Sequence, residues 1–208
     1  MNDDLVLLSS LKNGMLDLGM SRDVDGLAHA CLRYLQLLEQ WNRAYNLTAV
    51  RSLPDMVSRH ILDSLAILPW VKGQRILDVG TGAGLPGIPL ALACPDKQWV
   101  LLDSNGKKTR FLLEVQRVLG LSQIEIIQDR VEAYEPAQAF DSIVSRAFSE
   151  VQKMLDQTQH LLVPQGQWMA MKGPQVVAEL PALQHPYRVE SYRVPGEPGE
   201  RYCVIIEL

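Results

Sequence analysis

Three alternating glycines, Gly80, Gly82 and Gly84, stand directly behind the apolar run Ile76-Leu77-Asp78-Val79, and an apolar segment at 85–93 opens behind them. Few folds accept a buried strand that runs into such a loop. Glycine lets the backbone turn tightly and lets a ligand lie against the main chain. A strand, a glycine loop and a helix in that order begin a doubly wound α/β sheet. One frame, Gly82-x-Gly84-x-x-Gly87, formally matches the dinucleotide fingerprint. That fingerprint places its first glycine directly after the strand, which here is Gly80, and counted from Gly80 the third glycine position holds Leu85. A nicotinamide-dependent oxidoreductase is therefore the weaker reading of the loop.

The remaining periodicity agrees with a layered sheet. Short apolar runs at 75–79, 99–103, 124–128, 140–145 and 167–171 read as strands, with helices at 85–93, 107–119 and 150–162 between them. Such alternation predicts parallel strands with helices on both faces. The runs at 188–194 and 202–207 flank Pro195-Gly196-Glu197-Pro198-Gly199. A connection that short joins antiparallel strands, because a parallel crossover needs a dozen residues or more. The expected architecture is a mostly parallel seven-stranded sheet over 71–208, with one strand of the final pair reversed.

Before residue 70 the chain reads as helices. Leu27, Cys31, Leu35, Leu38, Trp41 and Tyr45 recur at helical spacing, and 5–18 is a weaker helical pattern. Ser52-Leu53-Pro54-Asp55 resembles a capped start for a helix that carries Met56, Val57, Ile61, Leu65 and Leu68 inward and stops at Pro69. Residues 1–70 are accordingly expected to form a helical extension packed on the sheet domain.

Composition excludes several classes. Hydrophobic residues make up 47% and charged residues 21%, values of an ordinary globular chain. No window approaches the apolar length that crosses a bilayer, and the acidic start Met1-Asn2-Asp3-Asp4 is unlike a secretory signal. Cys31, Cys94 and Cys203 lie far apart and lack metal-ligand spacing. A cytoplasmic protein with reduced thiols and no metal is expected. The net charge of −4 leaves room for a nucleic-acid partner only through a local basic patch.

Glycines spaced G-x-G-x-G behind the acidic strand end Asp78 resemble the first motif of class I methyltransferases. Asp103 closes the next apolar run, about twenty residues beyond Gly80, where doubly wound folds place the carboxylate that takes ribose hydroxyls; helix capping is its plain alternative. Gln128-Asp129-Arg130-Val131-Glu132 follows the third strand, where the methyltransferase fold flanks the adenine. Arg146 follows the fourth strand and points at the ligand crevice beyond the strand ends, and Phe148 could stack on a base. No Asn/Asp-Pro-Pro-aromatic motif and no cysteine nucleophile stands there, so exocyclic adenine and pyrimidine carbon-5 methylation are disfavoured. His60, Asp63 and Ser64 are triad residue types, but they share one helix and lack a nucleophile turn. Arg59 and Asp63, four apart, suggest an intrahelical ion pair.

The segments 41–48 (Trp41-Asn42-Arg43-Ala44-Tyr45-Asn46-Leu47-Thr48), 59–64 (Arg59-His60-Ile61-Leu62-Asp63-Ser64), 78–89 and Ser145-Arg146-Ala147-Phe148 together resemble the bacterial 16S rRNA guanine-N7 methyltransferases, also called the glucose-inhibited division protein B family. The resemblance runs from about Leu27 to Leu208. It implies S-adenosyl-L-methionine as cofactor and S-adenosyl-L-homocysteine as product. It also implies a guanine of the 530 loop in 16S rRNA as acceptor, within the 30S subunit or its precursor; a monomer is expected. By motif match Gly80, Leu85, Val131, Glu132 and Arg146 carry over as cofactor residues; Asp78, Gly82 and Asp103 complete the candidate set. Guanine N7 already has a lone pair, so no general base is required, and none is evident. Arg43, Arg59, His60, Lys172 and Arg201 are the RNA-contact candidates, and Lys107, Lys108 and Arg110 form a second basic cluster. The alternatives are a methyltransferase for another RNA, a protein or a small molecule, and a non-catalytic RNA-binding module.

Overall fold

A computed structural model describes residues 2–146, 148, 150–178 and 180–207; Ala147 of the 145–148 motif lies outside them. Seven strands form one sheet in the order β3-β2-β1-β4-β5-β7-β6. They are β1 (Arg75–Val79), β2 (Gln98–Leu102), β3 (Ile124–Ile127), β4 (Phe140–Ser145), β5 (Leu162–Lys172), β6 (Tyr187–Tyr192) and β7 (Arg201–Glu207). The first five run parallel. Only β7 is reversed, pairing antiparallel with both β5 and β6. The sheet thus has the composition and the single reversed strand that the sequence pattern predicts.

Both faces of the central strands are covered, which is why those strands are apolar almost throughout. Trp99, Leu101, Val144, Met169 and Ile205 pack into one core, while Val100, Leu102, Ile143, Trp168 and Val204 pack into the other. Successive side chains point to opposite faces, so a strand covered twice cannot alternate with polar residues. The first core also takes in Leu7, Leu11 and Met15 of α1 (Asn2–Asp17) and Leu27, Cys31 and Leu35 of α2 (Val24–Tyr45). The N-terminal helices therefore share one core with the sheet.

Caps set the helix boundaries. Asp23 accepts from Gly26 N–H at 3.1 Å and starts α2, while Asn46 ends it in the left-handed region at φ 51°, a conformation asparagine tolerates. The helix expected to run to Pro69 begins as proposed, with Ser52 accepting from Asp55 N–H, but changes form. It consists of α3 (Leu53–Met56), a widened π-helical segment Val57–Leu62 and α4 (Asp63–Leu65), and Pro69 lies in a separate turn, Leu68–Trp70. The helix after the glycine loop, α5 (Gly87–Ala93), starts two residues later than expected, behind the cis Leu85–Pro86 bond. The helix after β4 is shorter than the expected 150–162: α7 spans Val151–Thr158, a tight turn covers Gln159–Leu161, and β5 already begins at Leu162. Pro164 lacks the N–H a helix needs, and Leu162 pairs with Phe140 instead.

Trp168 on β5 is fully buried, and its indole N–H donates to Thr158 Oγ1 on α7 at 2.8 Å. Trp168→Phe removes that bond and part of the ring, and is expected to cost about 1–3 kcal/mol. Urea unfolding measures this; an unchanged midpoint would contradict the packing described.

Candidate active site

All five parallel strands end on one edge, and between β1 and β4 the strand order changes direction, which is where such sheets bind ligands. Behind β1 the backbone takes positive φ at Gly80 (67°), Gly82 (62°) and Gly84 (93°). A side chain at Gly84 would collide with Ile88 and Leu112, so that glycine serves packing. At Gly80 a Cβ would meet nothing within 4 Å, and at Gly82 only Gly80 O at 3.9 Å and Lys108 Nζ at 4.0 Å. These two glycines face open space, and the backbone there can touch a ligand.

Two buried carboxylates hold the loop. Asp78 Oδ2 accepts from Thr81 Oγ1 at 2.6 Å and from Gly87 N–H at 2.8 Å. Asp103 Oδ2 accepts from Gly82 N–H at 2.9 Å and from Lys108 Nζ at 3.2 Å, and its Oδ1 from Asn105 N–H at 2.9 Å. From the helical extension, Tyr34 donates to Ala83 C=O at 2.7 Å. Asn105, not Asp103, caps α6 (Gly106–Leu119) by accepting from Lys107 N–H, so the capping alternative for Asp103 falls away.

Three clefts adjoin along this edge. The first, of about 450 Å³, is lined among others by Gly80, Asp103, Lys108, Val131, Glu132 and Phe148. The second, of about 200 Å³, lies over the glycine loop and is lined by Leu47, Thr48, residues 80–83, Leu85, Lys108 and Arg146. The third, of about 280 Å³, contains Arg59, His60, Asp63, Arg146, Lys172 and Arg201, with Val50, Met171 and Tyr192 as its less polar walls. Gly80 and Lys108 belong to the first two clefts, and Arg146 to the last two.

The sequence candidates divide accordingly. Gly80, Asp103, Val131 and Glu132 meet in the first cleft; Gly82, Leu85 and Arg146 line the second; Arg59, His60, Lys172 and Arg201 meet in the third. Asp78 lies beneath the loop, fully buried. Arg43 does not line these clefts and stands 3.5 Å from Glu39. Arg59 does not pair with Asp63 as its spacing suggests. It lies 3.8 Å from Glu197 of the terminal hairpin, as does Arg201.

Asp63 is held by distant residues that sequence spacing does not reveal. Its Oδ2 lies 3.4 Å from Arg146 Nη1, and its Oδ1 accepts from Tyr192 OH at 3.2 Å. Arg146 Nη1 also donates to Arg59 C=O at 3.0 Å, a carbonyl of the π-helical segment. Burial pushes the Asp63 carboxyl up, opposed by the Arg146 and Arg201 charges. Burial, then Arg146, pushes His60 down to about 4, so it is neutral at pH 7, hydrogen-bonded to Thr48 Oγ1 at 2.8 Å. Thr81 and Tyr192 are among the site residues not anticipated from the sequence; Thr81 fills a variable position of the glycine motif, and no local pattern marks Tyr192. Lys108 was visible only as part of a basic run.

The fold resembles that of known methyltransferases. It is similar to the N-methyltransferase NodS from Bradyrhizobium japonicum, solved with S-adenosyl-l-homocysteine (TM-score 0.56, 17% identity, 84% of this chain and 97% of that one). It is also similar to a putative O-methyltransferase from Klebsiella pneumoniae (TM-score 0.59, 14% identity, 84% and 90%). Fold and glycine loop are those of the class I methyltransferases. The family model for rRNA small subunit methyltransferase G matches residues 28–196. Ribosomal RNA small subunit methyltransferase G of Legionella pneumophila is 53% identical over 206 residues, covering 99% of this chain and 97% of the relative. The protein of that name from Pseudomonas aeruginosa is 48% identical over 200 residues, covering 94% and 93%. The chain belongs to the rRNA small subunit methyltransferase G family.

Burial pushes the Asp78 carboxyl up to about 7, against the bonds from Thr81 and Gly87. The same group titrates near 3.9 in an unfolded chain. Between about pH 4 and 7 the folded state thus binds more protons, and Asp78 makes stability fall as pH rises. Relative to Asp78→Asn, the wild type is expected to lose stability on the order of 1 kcal/mol per pH unit across that window. His60 contributes the opposite slope to both proteins and cancels in the difference. Chemical unfolding at several pH values measures it; parallel pH profiles would contradict the assignment.

Proposed function

We propose that this chain transfers the methyl group of S-adenosyl-L-methionine to N7 of a guanine in 16S rRNA, releasing S-adenosyl-L-homocysteine. The observation that carries this reading is the order of the clefts, with Arg146 at the junction between glycine loop and basic pocket. In the first cleft Asp103 offers a carboxylate to paired ribose hydroxyls, and the backbone at Val131 and Glu132 borders an adenine edge. Gly80 and Gly82, with open space where a Cβ would stand, let the methionine portion lie against the main chain. Leu85 and Arg146 border the same cleft, and Asp78 acts from below by fixing the loop.

When bound, the cofactor supplies an electrophilic methyl on a positively charged sulfur. Guanine N7 is an acceptor with an unshared pair, so the protein has no proton to remove from it. This agrees with the site's titratable groups: His60 is neutral and tied to Thr48, and Asp63 is tied to Arg146 and Tyr192. Their work is orientation, which brings two reactants into line without acid–base chemistry. The third cleft sets Arg59, Arg146, Lys172 and Arg201 against two carboxylates, Asp63 in its lining and Glu197 beside Arg59 and Arg201. A local excess of positive charge of this kind reconciles a net charge of −4 with a phosphate-rich acceptor. The names of the relatives identify small-subunit ribosomal RNA as their acceptor, which supports the same class here, met in the cytoplasm as the 30S subunit or its precursor. The reading takes the protein to act as a monomer.

The test is to incubate 30S subunits from a strain lacking this protein with labelled cofactor and locate the label. One guanine, modified at N7, is the expected product; labelling of no small-subunit rRNA nucleotide would overturn the reading. Lys172→Ala and Arg201→Ala are expected to lower methylation while cofactor affinity stays near wild type. Each should also reduce the log–log salt slope of 30S binding by about 1 if it removes one phosphate contact. Wild-type rates and salt slopes in both variants would place the RNA face elsewhere.

A further inference from the structure

Lys108 has a position that the reading above leaves unused. Its side chain is about one-third exposed (34%), on the first turn of α6. Among the lining residues only it and Gly80 are common to the first cleft and the glycine-loop cleft. Its Nζ lies 3.2 Å from Asp103 Oδ2 and already overhangs the loop, 4.0 Å from where a Gly82 Cβ would stand.

We infer that Lys108 binds the α-carboxylate of the cofactor's methionine portion, and that it reaches this group by leaving Asp103. The inference rests on the proposed cofactor and deepens it. Three observations carry it. First, the charged residues lining the glycine-loop cleft are Lys108 and Arg146, with no carboxylate among them. A pocket with two cations and no acid favours an anionic group. Second, Arg146 is already engaged by Arg59 C=O and Asp63. Lys108 is the cation with a long, flexible arm and a partner it can exchange. Third, Asp103 is nearly saturated. A carboxylate offers about four acceptor sites, and Gly82 N–H, Asn105 N–H and Lys108 take three. Two ribose hydroxyls need two sites, so full engagement of the ribose requires Lys108 to depart.

One movement therefore serves two subsites. A ligand with both ribose and carboxylate frees Asp103 and gives the displaced ammonium a new partner. A nucleoside without the carboxylate must displace Lys108 and leave it in water. The carboxylate thereby contributes to recognition at the ribose as well as at its own subsite.

Calorimetry with two probes tests this. S-adenosylhomocysteine carries the amino-acid portion; 5′-methylthioadenosine has the same nucleoside and sulfur without it. Lys108→Met is expected to weaken S-adenosylhomocysteine binding about tenfold or more, as for a lost hydrogen bond to a charged group. It should leave 5′-methylthioadenosine unchanged or bound more tightly, because Asp103 is then free. Lys107→Met, which removes the neighbouring exposed charge, should leave the ratio of the two affinities at the wild-type value. Lys108→Gln serves as a second variant, and thermal melting verifies that each is folded. A folded Lys108 variant with the wild-type affinity ratio, or one that weakens both ligands equally, would overturn the inference. The ratio is read without RNA or turnover. A failure of methyl transfer to 30S subunits therefore tests the acceptor reading separately. Wild-type protein that binds neither probe would overturn the cofactor assignment and this inference together.

Discussion

The glycine loop owes its shape to two carboxylates. Asp78 fastens it from beneath through Thr81 and Gly87, and Asp103 fastens it from the side through Gly82. Left-handed backbone at three positions costs conformational entropy that glycine alone does not recover. Hydrogen bonds to buried carboxylates are worth more than neutral ones and offset part of that cost. Asp78 ends up in surroundings that disfavour its own charge. The strand end is thus less stable than an apolar one could be, in exchange for a fixed main-chain surface open to a ligand.

A second dependence runs between the N-terminal helices and the sheet edge. Tyr34 of α2 holds Ala83, and the π-helical segment presents the Arg59 carbonyl to Arg146. Widened helical turns of this kind recur at functional sites. Here the segment sets Arg59 and His60 in the same cleft as Lys172 and Arg201 from the sheet. Arg146 is fixed by two contacts, the Arg59 carbonyl and Asp63, and Asp63 is held in turn by Tyr192 of β6. A positively charged group held this way needs little reorganisation when a substrate arrives. The helical extension therefore builds part of the third cleft as well as covering the sheet.

Much of the fold was legible in the sequence because the central strands are covered on both faces and read as largely apolar runs. The loop was legible because few other arrangements need glycines at 80, 82 and 84. Asp103 was legible from its distance to the loop. The errors came from patterns that local sequence does not determine. Leu161-Leu162-Val163 continues the helical pattern of α7, and only pairing with Phe140 assigns Leu162 to a strand. Ser52 starts a helix correctly, yet nothing in the residues that follow announces a π-helical turn. Spacing suggested an Arg59–Asp63 pair; Glu197 and Arg146, brought in by tertiary packing, take those partners instead. Tyr192 reaches Asp63 from far along the chain, and no local pattern marks it.

On the proposed function the three clefts form one path, and the methyl group is delivered at Arg146, where the glycine-loop cleft meets the basic one. A crystal structure of the protein with S-adenosyl-L-homocysteine tests it most directly. The adenine is expected beside Val131 and Glu132, the ribose on Asp103, and the sulfur over the glycine loop, facing Arg146 and the third cleft. A sulfur atom turned away from Arg146, or a nucleoside seated among Arg59, Lys172 and Arg201, would contradict it.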